Sequence, residues 1–469
     1  MAWRRLGALP RLPLLARRLR RSPLFLPLGV ALLLGVGVLV RTLSLRLAGD
    51  PEPPITGLGQ RLLAGGLESL LPAAGPRLRG TLYQGIVLDR DQVLNAETFT
   101  ELRSRVEELS RAFRTVHPEV NIQVQLFRSD TLIPHLRSRV RSGLGPDILL
   151  VSGLFANDLN QLGLTSPATL TAAEWNQINP SAMERLRLPN GQISGVPALF
   201  HPELACFNRS RLRSSPTTLD ELLQRSAQGL RVGLGAHPFS IYWTAGSLGA
   251  NDALVAAARG EALTPEQRLR LRGWVQWLQG ASLQQRVTLF SDQNQVLKEF
   301  RRGQLDWISC NSIALPNLRA QMGSRLGVAT LPSGPGGEPT PVSRERVMVF
   351  GRGSSPEQRR IAEAMVRFTI NPLIQRTLTL DTMAVLPVNR FVPPPVNSSA
   401  SLQAMVESQR QSNANTMLVE LVHPGDARLL QLSQTMVQVV FGELEPDPAV
   451  EAIIRDLRPT PSRSLVGER

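Results

Sequence analysis

The sequence predicts an α/β fold built on a parallel sheet flanked by helices, and three observations point to it. The segment Gly143-Leu144-Gly145-Pro146-Asp147 stops a helix and turns, because either glycine can take the positive φ that ends a helix and proline forbids its continuation. The apolar run Ile148 to Val151 that follows has the length of a buried parallel strand. Upstream, strand and helix patterns alternate, the order in which a parallel sheet is assembled.

The opening strand is placed at Gly80 to Leu88. Glu97 to Phe113 reads as an amphipathic helix that His117-Pro118-Glu119-Val120 breaks, and Asn121 to Phe127 alternates polar with apolar residues as a strand does. Ser129 to Arg141 is helical in pattern and leads into the glycine turn. Sheets of this kind bind ligands beyond the carboxyl ends of their strands.

Further phrases recur along the chain: Phe113-Arg114-Thr115-Val116-His117-Pro118-Glu119-Val120, the Gly-Pro-Asp strand start, Gly195-Val196-Pro197 and Cys206-Phe207-Asn208. They continue with Pro216 to Leu222, Phe300 to Gln304, Leu331 to Gly337, Asn371 to Gln375, Leu386-Pro387-Val388, and Phe441-Gly442-Glu443 with Ala449-Val450. In this order, from about Arg79 to Leu457, the chain resembles the extracellular solute-binding proteins of bacterial ATP-binding-cassette (ABC) importers, in the branch that includes maltose and other oligosaccharide binders. The resemblance implies a two-lobed, periplasmic-binding-protein-like (Venus-flytrap) α/β fold with multiple hinge crossings. Lobe one would hold 79–199 plus 325–385, and lobe two 204–318 plus 388–457 with the C-terminal helices. The crossings would fall near Phe200 to Glu203, Pro316 to Gly323 and Met383 to Pro387, where proline favours extended chain. Residues 458–469 read as a disordered tail.

The formal charge of +14 suggests nucleic acid until it is located. Nine arginines against one aspartate place +8 within residues 1–50, leaving +6 for the rest, and Lys298 is the single lysine. No arginine–aromatic stripe accompanies these charges, so no nucleic-acid partner is expected. Pro23 to Val40 carries no charge, and as a helix it would extend roughly 27 Å, close to the ~30 Å hydrocarbon core. Seven arginines precede it, which places the N-terminus in the cytoplasm and the bulk outside. Residues 1–48 thus read as a cytoplasmic basic segment and one N-terminal transmembrane helix serving as signal anchor to the inner membrane. The alternative is a cleaved signal, for which only Leu47-Ala48-Gly49 offers small residues. Residues 49–78, rich in proline and glycine, read as a linker.

The five histidines and two cysteines show no metal-ligand spacing, so no metal is expected. Val232-Gly233-Leu234-Gly235 is too short for a phosphate loop, and no Gly-x-Ser-x-Gly elbow exists, so neither a cofactor nor an enzyme is expected. Cys206 and Cys310 fall in predicted strands of one lobe; a disulfide is conceivable, but buried free thiols are favoured because neighbouring strands seldom offer bridge geometry.

A sugar cleft needs aromatic platforms for ring faces and polar groups for hydroxyls. The resemblance points to loops after strands and at crossings: Gln84 beside Tyr83; Ser152 with Phe155; His201 and Glu203; Tyr242 and Trp243; Asn311 and Ser312 after a strand at Leu305 to Ile308; and, more weakly, Arg344 in the charge run Ser343 to Arg346, since such a run is usually a solvated face. Phe155, Tyr83 and Trp243 can equally be core residues. Trp274 and Trp277, three apart on a helix, read as core. The expected function is the periplasmic binding component of an ABC importer, passing a small sugar or polyol to the permease transmembrane subunits. The rival is a membrane-anchored solute sensor or scaffold of the same fold, which the aromatic content of 5% favours. A secreted hydrolase is a distant third.

Overall fold

The structure is a computed structural model describing residues 77–88, 107–414, 418–422 and 426–459. The expected transmembrane helix lies outside the described residues, as do the linker up to residue 76 and the tail from residue 460. Among the described residues no helix is long and apolar enough to cross a membrane.

The chain opens with β1 (Gly80–Leu88), which pairs in parallel with both β2 (Val120–Arg128) and β3 (Ile148–Ser152). Asp147 pins this register from one residue ahead of β3. Its carboxylate accepts from the Tyr83 N–H at 2.9 Å while its own N–H donates to the Tyr83 carbonyl. Residue 107–116 is helical, and the helix Leu132–Arg141 returns the chain between β2 and β3. That helix ends on Gly143 at φ +70°; Gly145 does not take a positive φ, and its missing side chain instead lets the turn pack on Val140. The short β4 (Thr165–Ser166) and β5 (Val196–His201) follow.

The next strands build a second sheet. β6 (Glu203–Asn208), β7 (Val232–Gly235), β8 (Val287–Phe290), β9 (Trp307–Asn311) and β10 (Leu326–Ala329) are arranged in the order β10-β6-β9-β7-β8. The expected strand at Leu305 to Ile308 therefore lies two to three residues later, because Asp306 is held before it by Arg231, which donates from Nε and Nη2 at 2.9 and 2.7 Å. β10 corrects the expected lobe boundary. Leu326 to Ala329 pair antiparallel with Asn208 to Ala205, so residues near 325 still belong to the second sheet, and Pro316–Gly323 is mostly helix (Leu315–Met322), not a crossing.

β11 (Arg344–Gly351) and β12 (Leu386–Pro387) then complete the first sheet in the order β12-β5-β11-β3-β1-β2, with β4 pairing the end of β11. The third crossing also comes later than expected, since Asn389 still bridges Ile178 of the first lobe. The helices Ala400–Ala414, Leu418–Leu421, Ala427–Val440 and Pro446–Leu457 follow, the last three packing on the second lobe's core.

Cys206 and Cys310 form a disulfide, against the expectation of free thiols. β6 and β9 pair Leu204 with Cys310 and Cys206 with Ile308, so the two cysteines are diagonal neighbours with Cα atoms 5.9 Å apart, inside the range a disulfide spans.

Candidate functional site: a cleft between two sheets

Parallel strands end together, so the residues after them share one edge of a sheet. In the first lobe, Ser129 follows β2 and Ser152 ends β3; in the second, His237 comes two residues after β7 and Ser291 one after β8. All four line a cavity of about 510 Å³ between the lobes. This volume is in the usual range for small-molecule sites, roughly 300–1,000 Å³.

The first lobe supplies the charged wall, including Arg185, Arg344 and Glu345. Ser152 also starts the helix Gly153–Gln161, yet its hydroxyl makes no capping hydrogen bond. Glu345 lies beside that helix start: a Cβ at Gly153 would stand 3.3 Å from its Oε2, so glycine makes room for the carboxyl group. Glu345 is buried, and its Oε1 has no hydrogen-bond partner. Burial pushes its pKa up to about 8; Arg185 pulls against this rise and Glu420 adds to it.

The second lobe supplies helix starts and one aromatic face. His237 Nδ1 accepts from the Phe239 N–H at 3.3 Å, which turns the Phe239 ring edge-on to the imidazole at a centroid distance of 5.7 Å. Asp292 likewise caps the helix Gln293–Arg301 by accepting from the Asn294 N–H at 3.0 Å. Glu420 reaches across the cavity to the first lobe, where its Oε1 lies 3.0 Å from Arg185 Nε. Among the described residues no group of histidine, cysteine and acidic side chains is arranged to hold a metal ion.

Of the residues singled out in the sequence, Ser152 and Arg344 line the cavity. Four others fasten the crossing. His201 Nδ1 donates to the Ala384 carbonyl at 3.1 Å and Ser312 Oγ donates to the same oxygen at 2.7 Å. Asn311 Nδ2 donates to the His201 carbonyl at 3.0 Å, and Glu203 Oε2 accepts from the Val342 N–H at 2.9 Å. Gln84 and Phe155 are buried within the first lobe. Trp243 is fully buried against Trp307, with ring centroids 6.2 Å apart, and Tyr242 is fixed by Asn251 and the Leu418 N–H. Neither lines the cavity, because the chain turns into it directly after β7 and Pro238 has started a helix before Tyr242 is reached. The aromatic side chain at the wall is Phe239, which counting from the end of β7 would have found. Glu345 and Arg346 are buried too, so the run read as a solvated face is an inner strand.

The sequence matches the bacterial extracellular solute-binding protein family over residues 108–405. The chain belongs to this family. Solved structures share its fold at low identity. The GacH receptor of Streptomyces glaucescens, described unliganded and with acarbose, is 16% identical with a TM-score of 0.66, covering 81% of this chain and 97% of the receptor. Maltose-bound MalE3 of T. maritima is 14% identical with a TM-score of 0.62, covering 80% and 99%. A Thermotoga lettingae ABC-transporter solute-binding protein, bound with α-D-tagatose, is 16% identical with a TM-score of 0.59, covering 80% and 98%. No curated protein matches the sequence.

Proposed function

We propose that this solute-binding protein is the capture component of an ABC importer, taking up a small sugar or sugar-like polyol by closing its lobes and delivering it to the permease transmembrane subunits. The observation that carries this reading is the interlobe cavity at the carboxyl ends of the parallel strands, walled by hydroxyl, carboxylate and guanidinium groups with the Phe239 ring at one side. Hydroxyl-rich ligands need that density of partners, because each buried polar group left unpaired costs about 1–3 kcal/mol. The folded part works outside the cytoplasmic membrane, with the uncharged segment Pro23 to Val40 as its tether; the Cys206–Cys310 disulfide suits that oxidising side. The three solved relatives named above carry acarbose, maltose and tagatose, which favours a carbohydrate.

Capture works by population shift: only contacts made with both lobes at once favour the closed form. Driving it from 1:99 to 99:1 takes about 5.5 kcal/mol of differential affinity, within the ~8 kcal/mol of a micromolar ligand. The test is thermal unfolding of the protein against sugars, polyols, amino acids and polyamines. A ligand at a hundred times its dissociation constant adds about 2.7 kcal/mol, so a sugar or polyol should raise the midpoint. A shift with amino acids or polyamines alone would replace the cargo, and no shift with any class would favour the sensor or scaffold role.

A further inference from the structure

Three charged side chains at the cavity are shared unequally between the lobes. Arg185 belongs to the first: it follows the helix Pro180–Glu184, and its carbonyl accepts from Asn157 Nδ2 at 3.1 Å. Glu345 is on β11 of the same lobe. Glu420 belongs to the second, on a helix whose Leu418 and Val419 are buried in that lobe's core. The Arg185–Glu420 ion pair therefore crosses the cleft, with both side chains only 25% exposed.

We propose that Arg185 changes carboxylate partner as the lobes move, pairing with Glu420 when they are closed and with Glu345 when they are open, so that each closure takes up one proton. This rests on the lobe-closure reading above and concerns the regulation of the same cleft.

In the closed form the guanidinium charge is matched by Glu420, so an ionised Glu345 would be a second, excess carboxylate held out of water. The other elements around Glu345 bring no relief. On its own strand, Arg344 and Arg346 alternate to the face opposite Glu345, and Arg346 donates to the Val87 and Leu150 carbonyls. β5 sets Phe200 opposite Glu345, and the Gly153–Gln161 helix brings uncharged Gly153 and Asn157 to the cavity. Glu184 from the neighbouring helix is a further anion, offset by Arg187 at 3.2 Å, while His237 and Asp292 on the far wall cap their own helices. The Glu345 carboxyl is thus neutral near pH 7, as its rise to about 8 reflects.

Opening withdraws Glu420 and admits water. The burial imposed by its own sheet remains, but the opposing Glu420 charge is gone and Arg185, now without its partner, draws the proton off: neutral Glu345 becomes carboxylate and one proton goes to solvent. The sign follows from linkage. The closed-state pKa lies above the open-state one, so closure is strongest at low pH, weakens as pH rises between the two values, and levels off above about 8.

The experiment is single-molecule energy transfer on the ligand-free full chain from pH 5 to 9, with dyes on Leu144→Cys and Leu283→Cys. Both positions are exposed, on the first and second lobes, and the native cysteines are bonded to each other. The closed-to-open ratio should fall with rising pH by up to about tenfold per unit, the limit for one proton. Glu345→Gln should stay closed with no pH dependence, and Glu420→Gln should favour the open form at every pH. A wild type with two distances but a flat ratio, or Glu345→Gln with the wild-type slope, overturns the proton link and leaves lobe closure standing. A single distance at every pH overturns the proton link, and lobe closure falls with it only if that distance also stays fixed when the sugar or polyol that raises the unfolding midpoint is added.

Discussion

The second lobe holds Trp243, Trp274, Trp277 and Trp307, four of the six tryptophans, together with the disulfide, whereas the first lobe packs phenylalanines and aliphatic residues and contributes Arg185, Arg344 and Glu345 to the cleft. Two of the indoles are wired inward, Trp307 Nε1 donating to Ser215 Oγ at 2.9 Å and Trp274 Nε1 to Thr244 Oγ1 at 2.8 Å, while Trp243 is fully buried with its N–H unpartnered. An indole whose N–H is satisfied inside a core has no role at a sugar face. The comparison teaches that large aromatics hold one lobe together while the other lobe places most of the charged side chains at the cavity.

The sharpest way to break this division is to remove an indole. Trp307→Ala should lower stability by about 3–5 kcal/mol in denaturant titration, while Trp243→Phe should leave ligand affinity unchanged; a weakened ligand would return Trp243 to the site. Replacing both Cys206 and Cys310 by alanine opens a link spanning 104 residues and should cost about 2–5 kcal/mol, with intact binding. Asp306→Asn comes next, at about 2–3 kcal/mol near neutrality, because the Asp306 side chain is buried and its partner Arg231 is left behind. Burial alone would raise the Asp306 pKa, but the hydrogen bonds and charge of Arg231 outweigh it and hold the carboxyl below its ordinary value. Its contribution is therefore present above the unfolded pKa and is lost as pH falls through the folded one, so wild type and variant should converge in stability in acid. The smallest effect is expected at the cleft: Phe239→Ala should weaken ligand binding by about tenfold, or ~1.4 kcal/mol, with an unchanged unfolding midpoint. Equal loss of stability would make Phe239 another core aromatic.

Strand and turn positions were legible because local chemistry sets them. β1 spans Gly80–Leu88 as its pattern predicts, and Gly143 takes the positive φ that its place after a helix requires. Ser152 was found because it ends a strand that glycine and proline announce. The rest of the site depends on which residues face each other across a gap closed by distant segments. Nothing near Arg185 indicates that Glu420, on the far side of the second lobe's sequence, will meet it. Glu345 looked solvated because charge runs on surfaces look the same; only the placement of β11 between β3 and β5 buries it. The disulfide was missed for a related reason, since pairing Cys206 diagonally with Cys310 requires knowing the β6–β9 register.

That placement of β11 has a consequence in time. A chain emerging from the ribosome delivers β1, β2, β3 and β5 long before the strand that joins them. At ~5–20 residues per second, the stretch from His201 to Arg344 takes on the order of ten seconds to synthesise. Throughout it, one edge of β3 and the whole of β5 lack their partner, and unpaired edges invite pairing with other chains. The first lobe to begin is thus unable to finish until most of the second has been made.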